Sequence, residues 1–251
     1  MKLSALAFLT LAARLVSAHY VFFTLTVNDA PVDGAVRIPG FPTPLMDVTS
    51  PDIICNTDTT PANTTATIPA GSKVGFKLNP NHQPMITHPG PAAFYMARVP
   101  DGLTAAEWDG AGGKWFKVRN HNLRSEIAEW GVKTFEPELE FETFHATELV
   151  ASIPKGTPSG EYLLRPEGLA LQMGWNGYHQ VHMSCAQIKV VDGGNGTPGP
   201  LVAIPGHLPP DHPGLNFDVY SHPTSYQLNE YIPAQLYKRQ QMPGPAVWKG
   251  D

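Results

Sequence analysis

The chain has 251 residues, with 42% hydrophobic and 16% charged residues and a formal charge of −5. That is enough apolar material for a sizeable core, and the acidic balance argues against nucleic acid or an anionic membrane as partner. Gly and Pro together make about 20% of the chain, which is loop-rich but short of a disordered composition.

Residues 1–18 read as a secretion signal. Lys2 is followed by the apolar run Leu3 to Leu11, too short to span a bilayer, and Val16-Ser17-Ala18 has the small residues of a cleavage site. Cleavage there takes the formal charge from −5 to −7 by removing Lys2 and Arg14. The expected product is a secreted, extracellular chain, 19–251, forming one β-domain. No membrane segment and no appended carbohydrate-binding module follow. In an oxidising compartment Cys55 and Cys185 are expected to pair, with two buried free thiols as the alternative. Asn63-Thr64-Thr65 and Asn195-Gly196-Thr197 are glycosylation sequons.

Period-two patterns dominate the remainder. His19, Val21, Phe23, Leu25 and Val27 alternate with Tyr20, Phe22, Thr24 and Thr26. The same alternation recurs at Val74/Phe76/Leu78, at Leu149/Ala151/Ile153 and from Val181 through Val190. Short strands at this spacing predict an all-β, antiparallel β-sandwich with long loops. Helical signal is confined to Leu103–Trp108 and Ser125–Trp130. The Pro/Gly-rich stretch from Gly193 to Pro213 reads as a long loop wrapping the same domain.

Among ten histidines, His19 stands out because cleavage makes it N-terminal. Its α-amine and imidazole both lose protons near neutral pH, so one residue can chelate one ion. A second imidazole would complete a nitrogen-rich site that favours Cu(II). His88, in the rigid turn His88-Pro89-Gly90-Pro91, is held as a ligand should be. In Tyr178-His179-Gln180-Val181-His182, strand alternation puts Gln180 and His182 on one face and His179 on the other. A zinc site from His179 with His182 is therefore disfavoured.

These motifs, with Asp52-Ile53-Ile54-Cys55, Gly160-Glu161-Tyr162-Leu163-Leu164-Arg165 and Met242-Pro243-Gly244-Pro245, give the chain its resemblance to a known family. It resembles the fungal lytic polysaccharide monooxygenases of auxiliary activity family nine, formerly glycoside hydrolase family sixty-one. The resemblance implies an immunoglobulin-like sandwich with one copper held by a histidine brace of His19 and His88, and a Cys55–Cys185 disulfide. It implies oxidative cleavage at C1 or C4 of cellulose or another β-1,4-glucan. The partners would be a polysaccharide surface, an external electron donor and O2 or H2O2, acting on a monomer.

The sequence departs from the family at the copper. Gln180-Val181-His182 puts His182 where the family has an axial Tyr. Gln172, in Leu169-Ala170-Leu171-Gln172, stands where it has a hydrogen-bonding His. His182 is either a further copper ligand or a base set back from the metal, and His179 is a candidate to compensate for the lost His. These changes open a second reading, a copper-binding relative without polysaccharide oxidation. Tyr226, Tyr231 and Tyr237 are candidates to pack on the glucan, and Trp175 is the tryptophan placed to join them.

Overall fold

The computed structural model describes residues 19–122, 141–212, 214–216, 219 and 242–251. The leader 1–18, the helical turn expected at Ser125–Trp130, and Tyr226, Tyr231 and Tyr237 lie outside the described residues.

Among the described residues eleven strands form two sheets. β1 (Phe22–Val27), β2 (Ala30–Val32), β5 (Lys73–Leu78) and β8 (Glu148–Ser152) make a four-stranded sheet in the order β2-β1-β5-β8. The second sheet runs β3 (Val36–Arg37), β11 (Cys185–Val191), β9 (Gly160–Ala170), β6 (Ala92–Arg98) and β7 (Trp115–His121). β4 (Ala66–Pro69) adds parallel to β11, and β10 (Gln180–Met183) adds to the far end of β9. All other pairings are antiparallel, as the sandwich expectation requires.

The larger sheet is apolar on both faces, and β6 shows how. Ala92, Phe94 and Met96 point into the core between the sheets. Ala93, Tyr95 and Ala97 point into a second core on the outer face, roofed by loops that contribute Ile53, Trp108, Ile204 and Leu208. Strands covered on both faces read as continuous apolar runs, which is why β6 carries no alternation. The loop after Gly193 does wrap the same unit, since Val202 bridges to Trp115 and Ile204 enters the outer core.

One expectation is corrected. The alternation placing Phe23 and Leu25 on one face fails, because β1 shifts register against β5 between Phe22 and Thr24. Phe22 and Leu25 are buried while Phe23 is exposed. An irregularity of this kind resets parity. The short helical turn expected at Leu103–Trp108 is present: Thr104 O accepts from the Glu107 and Trp108 amides, and the Glu107 carboxylate accepts from the Thr104 amide and hydroxyl. Cys55 and Cys185 form a disulfide, tying the loop after the Pro51–Ile53 turn to β11.

Candidate metal centre

His19 and His88 reach one end of the sandwich from different elements. His19 precedes β1, and Tyr20 beside it stacks on His182 of β10. His88 precedes a turn docked on β9, because Leu169 and Leu171 donate their amides to Pro91 O and Pro89 O, each at 2.9 Å. Gly90 sits so close that a Cβ there would stand 1.9 Å from Leu169 O. Both histidines are half-buried.

His182 lies near both and deeper, 2% exposed. Its ring stacks on Tyr20 at a centroid distance of 3.9 Å and 15°, and lies 6.2 Å from the His19 ring. Opposite His182 on β9 is Gly168, and this glycine leaves room for Tyr20, whose Oη would stand 2.1 Å from a Cβ. His182 Nδ1 is 3.1 Å from Tyr20 O. A carbonyl only accepts, so Nδ1 carries the hydrogen and Nε2 keeps a lone pair. Burial, with His19 and His88 nearby and only partly offset by the Tyr20 bond, brings His182 down to about 3, so the ring is neutral at working pH. Nε2 is buried and has no hydrogen-bond partner among the described residues.

Beside it, Gln172 Nε2 donates to Gln180 Oε1 at 2.9 Å. The Gln180 amide nitrogen is thereby left to donate elsewhere. Gln172 Oε1 is buried without a partner among the described residues. His179 is buried just before β10, burial lowers its pKa, and neither ring nitrogen has a described partner. Val181 and Met183 enter the outer core while His182 faces Tyr20, so the face assignment from strand alternation holds for these residues. The loop 173–178 turns outward, with Trp175 59% and Tyr178 51% exposed.

The Auxiliary Activity family 9 (formerly GH61) profile matches residues 19–231, opening on His19 itself. The chain belongs to this family. The AA9 lytic polysaccharide monooxygenase H of Malbranchea cinnamomea is 39% identical over 259 aligned residues, covering all of both chains. The AA9 lytic polysaccharide monooxygenase C of Emericella nidulans is also 39% identical, over 98% of this chain and 99% of its own. The crystal structure of HiLPMO9B superposes with a TM-score of 0.73 at 26% identity, covering 92% of this chain and all of that one. AA9 is a family of copper-dependent oxidoreductases, and the immunoglobulin-like sandwich expected from the sequence is its fold.

Copper fits the residues present. Among the described residues no three His, Cys, Asp or Glu side chains converge as a ready-made cluster. A brace needs only two imidazoles and an amine, and it would sit beside an orphaned neutral nitrogen at His182. Missed by sequence reasoning was Tyr20, whose ring and carbonyl hold His182; nothing in a strand-like Tyr-Val-Phe-Phe run marks that role.

Proposed function

We propose that this protein is a secreted copper monooxygenase that cleaves cellulose or a related β-1,4-glucan. The α-amine and imidazole of a processed His19, with His88, would hold the ion. The AA9 match beginning at His19 and the full-length similarity to lytic polysaccharide monooxygenases support this. So does the placement of two half-buried histidines, His19 and His88, both close enough to His182 to act on its charge, and this is the observation that carries the reading. When bound, copper supplies one-electron reduction and oxygen activation for oxidation at C1 or C4 of the sugar.

The chain's own residues then have distinct tasks. His182 presents a neutral Nε2 beside the brace and accepts a hydrogen bond there. Stacking on Tyr20 fixes its plane, and the Nδ1–H bond fixes its tautomer. Gln180 is oriented by Gln172 to donate its amide N–H toward the site. An amide pair holds hydrogen bonds in place but shuttles no proton, and His182, neutral at working pH, is the matching acceptor. Trp175 and Tyr178 project beyond this face and would meet the polysaccharide. The described residues put the site and both sheets in one sandwich, and a chain of this kind would act alone on an insoluble surface.

A second reading rests on the same His182 and Gln172: copper is bound but glucan oxidation is lost. One experiment separates them. Copper-loaded mature protein is given reductant and peroxide on swollen cellulose, and products are read by mass spectrometry. Oxidised cello-oligosaccharides are expected. Tight copper uptake without oxidised products on any β-glucan would overturn the first reading and establish the second. Electron paramagnetic resonance of the Cu(II) form is expected to change little in His182→Phe. Loss of a strongly coupled nitrogen in that variant would make His182 a ligand.

A further inference from the structure

At the open edge of the sandwich a groove of about 270 Å³ runs between β1–β2, β3 and the 60–63 loop. Phe23, Val32, Ile38 and Pro61 form its apolar wall, and Asn63 stands on it. Phe23 is 39% and Ile38 38% exposed. Phe23 owes its outward position to the register shift that turned it away from the core.

Asn63 opens the sequon Asn63-Thr64-Thr65 and is exposed. The backbone around it is fixed on both sides. Ala62 N–H donates to Gln187 Oε1 at 2.7 Å, and Ala62 O accepts from Gln187 Nε2 at 3.2 Å. Thr64 N–H donates to Gly34 O at 2.9 Å, and its hydroxyl donates to Asp33 O at 3.0 Å. Asn63 Cβ lies 3.5 Å from where a Cβ on Gly34 would be, so its side chain starts against the groove wall. The other sequon offers a contrast. Asn195 is exposed too, but Gly196 beside it packs on Gly156, Trp248 and Asp251, and Asn195 does not line this groove.

We propose that Asn63 carries an N-linked glycan whose first N-acetylglucosamine lies in this groove with its C–H face on the Phe23 ring. In the secretory compartment the donor is a lipid-linked oligosaccharide. The Asn63 amide nitrogen loses a proton and bonds to C1 of the sugar, and the lipid pyrophosphate leaves. The occupant is tethered where the apolar wall needs cover, and a pyranose has the shape to supply it: axial C–H bonds for the π face, hydroxyls and acetamide for the Asp33 and Thr60 rim. The inference rests on the secreted reading and is independent of the copper.

The test uses the full chain secreted from a fungal host, trimmed with an endoglycosidase that leaves one N-acetylglucosamine per site. Peptide mass spectrometry is expected to find that sugar on Asn63. The trimmed protein is expected to melt about 2–4 °C above the same chain made without glycans in a bacterial periplasm. Asn63→Gln from the fungal host is expected to lose that increment, and Asn195→Gln to keep it. In Phe23→Ala the increment at Asn63 is expected to vanish, and in Phe23→Leu, which keeps the bulk without the ring, to shrink. A secreted protein with bare Asn63, or an increment of equal size with and without the Phe23 ring, overturns the proposal. Failure of secretion with the leader intact would overturn the secreted reading instead.

Discussion

Glu167→Gln tests what holds the strand that feeds the copper face. Glu167 lies on β9, one residue before Gly168, and is wholly buried. Its Oε2 accepts from Arg165 Nη2 at 2.6 Å and from His207 Nε2 at 2.8 Å. Burial alone would push the carboxyl up, but Arg165 and then His207 outweigh it and bring it to about 2. Against an unfolded value near 4.3, that difference stabilises the fold by about 3 kcal/mol above pH 4.3. A second route gives the same size, since breaking a buried ion pair from one side costs about 3–5 kcal/mol. The variant is therefore expected to lose about 3 kcal/mol in urea unfolding of the copper-free chain at pH 7, or roughly 6–12 °C in Tm. The sign with pH follows from a depressed carboxylate: the contribution is complete above about pH 4.3 and is lost as pH falls toward 2. His207 also titrates, so the pH series is run in a His207→Gln background, where Arg165 still holds the carboxylate down. A loss under about 0.5 kcal/mol at pH 7, or a deficit that widens between pH 4 and 2 in that background, would refute the reasoning.

Removing the disulfide with Cys55→Ser and Cys185→Ser opens a link of sequence separation 130 and is expected to cost about 4–5 kcal/mol in equilibrium unfolding. Gly168→Ala would drive a methyl into Tyr20. It is expected to cost about 1–3 kcal/mol and to alter the Cu(II) resonance by shifting Tyr20 and, with it, the adjacent His19. Gly90→Ala would press on Leu169 O and lift the His88 turn. Copper affinity by isothermal titration is expected to fall about 10–100-fold, with His19 chemistry untouched. His182→Tyr with Gln172→His is expected to raise the initial rate of cello-oligosaccharide oxidation about tenfold or more; an unchanged rate would mean those positions do not limit it.

How much of this was legible in the sequence depended on whether a local rule or a tertiary contact was in charge. β5 and β8 followed their period-two patterns because each has one partner face that must be apolar. β1 did not, since its register shift comes from pairing with β5 and leaves no trace in the alternation. β6 was hidden for the opposite reason: covered on both faces, it alternates in size and destination and hardly in polarity. The buried group of Arg165, Glu167, His207 and Lys117 was also invisible, because residues far apart in sequence are joined only once the loops close over the sheet. His19, His88, Gln180 and His182 were legible through motif and parity. The Gln172–Gln180 bond was not, although both residues had been singled out.

That bond and the Tyr20 stack together explain how the altered site holds a single arrangement. A histidine at 182 has two ring nitrogens, and a site that fixed neither would leave tautomer and plane undecided. Here the Tyr20 carbonyl takes the Nδ1 hydrogen and the Tyr20 ring takes the plane. A buried lone pair at Nε2 is left as the one unspent polar function of the ring. Leaving such an atom unpaired costs about 1–3 kcal/mol, a penalty that favours whatever brings a donor or a cation to it. The neighbouring amides divide the same way: Gln172 spends its N–H on Gln180, and Gln180 is thereby turned to donate. Protein groups thus hold the back of each side chain and leave one nitrogen lone pair and one amide N–H in reserve. That arrangement needs Gly168 opposite His182, because a side chain there would displace Tyr20, so a glycine on β9 sets how His182 is held.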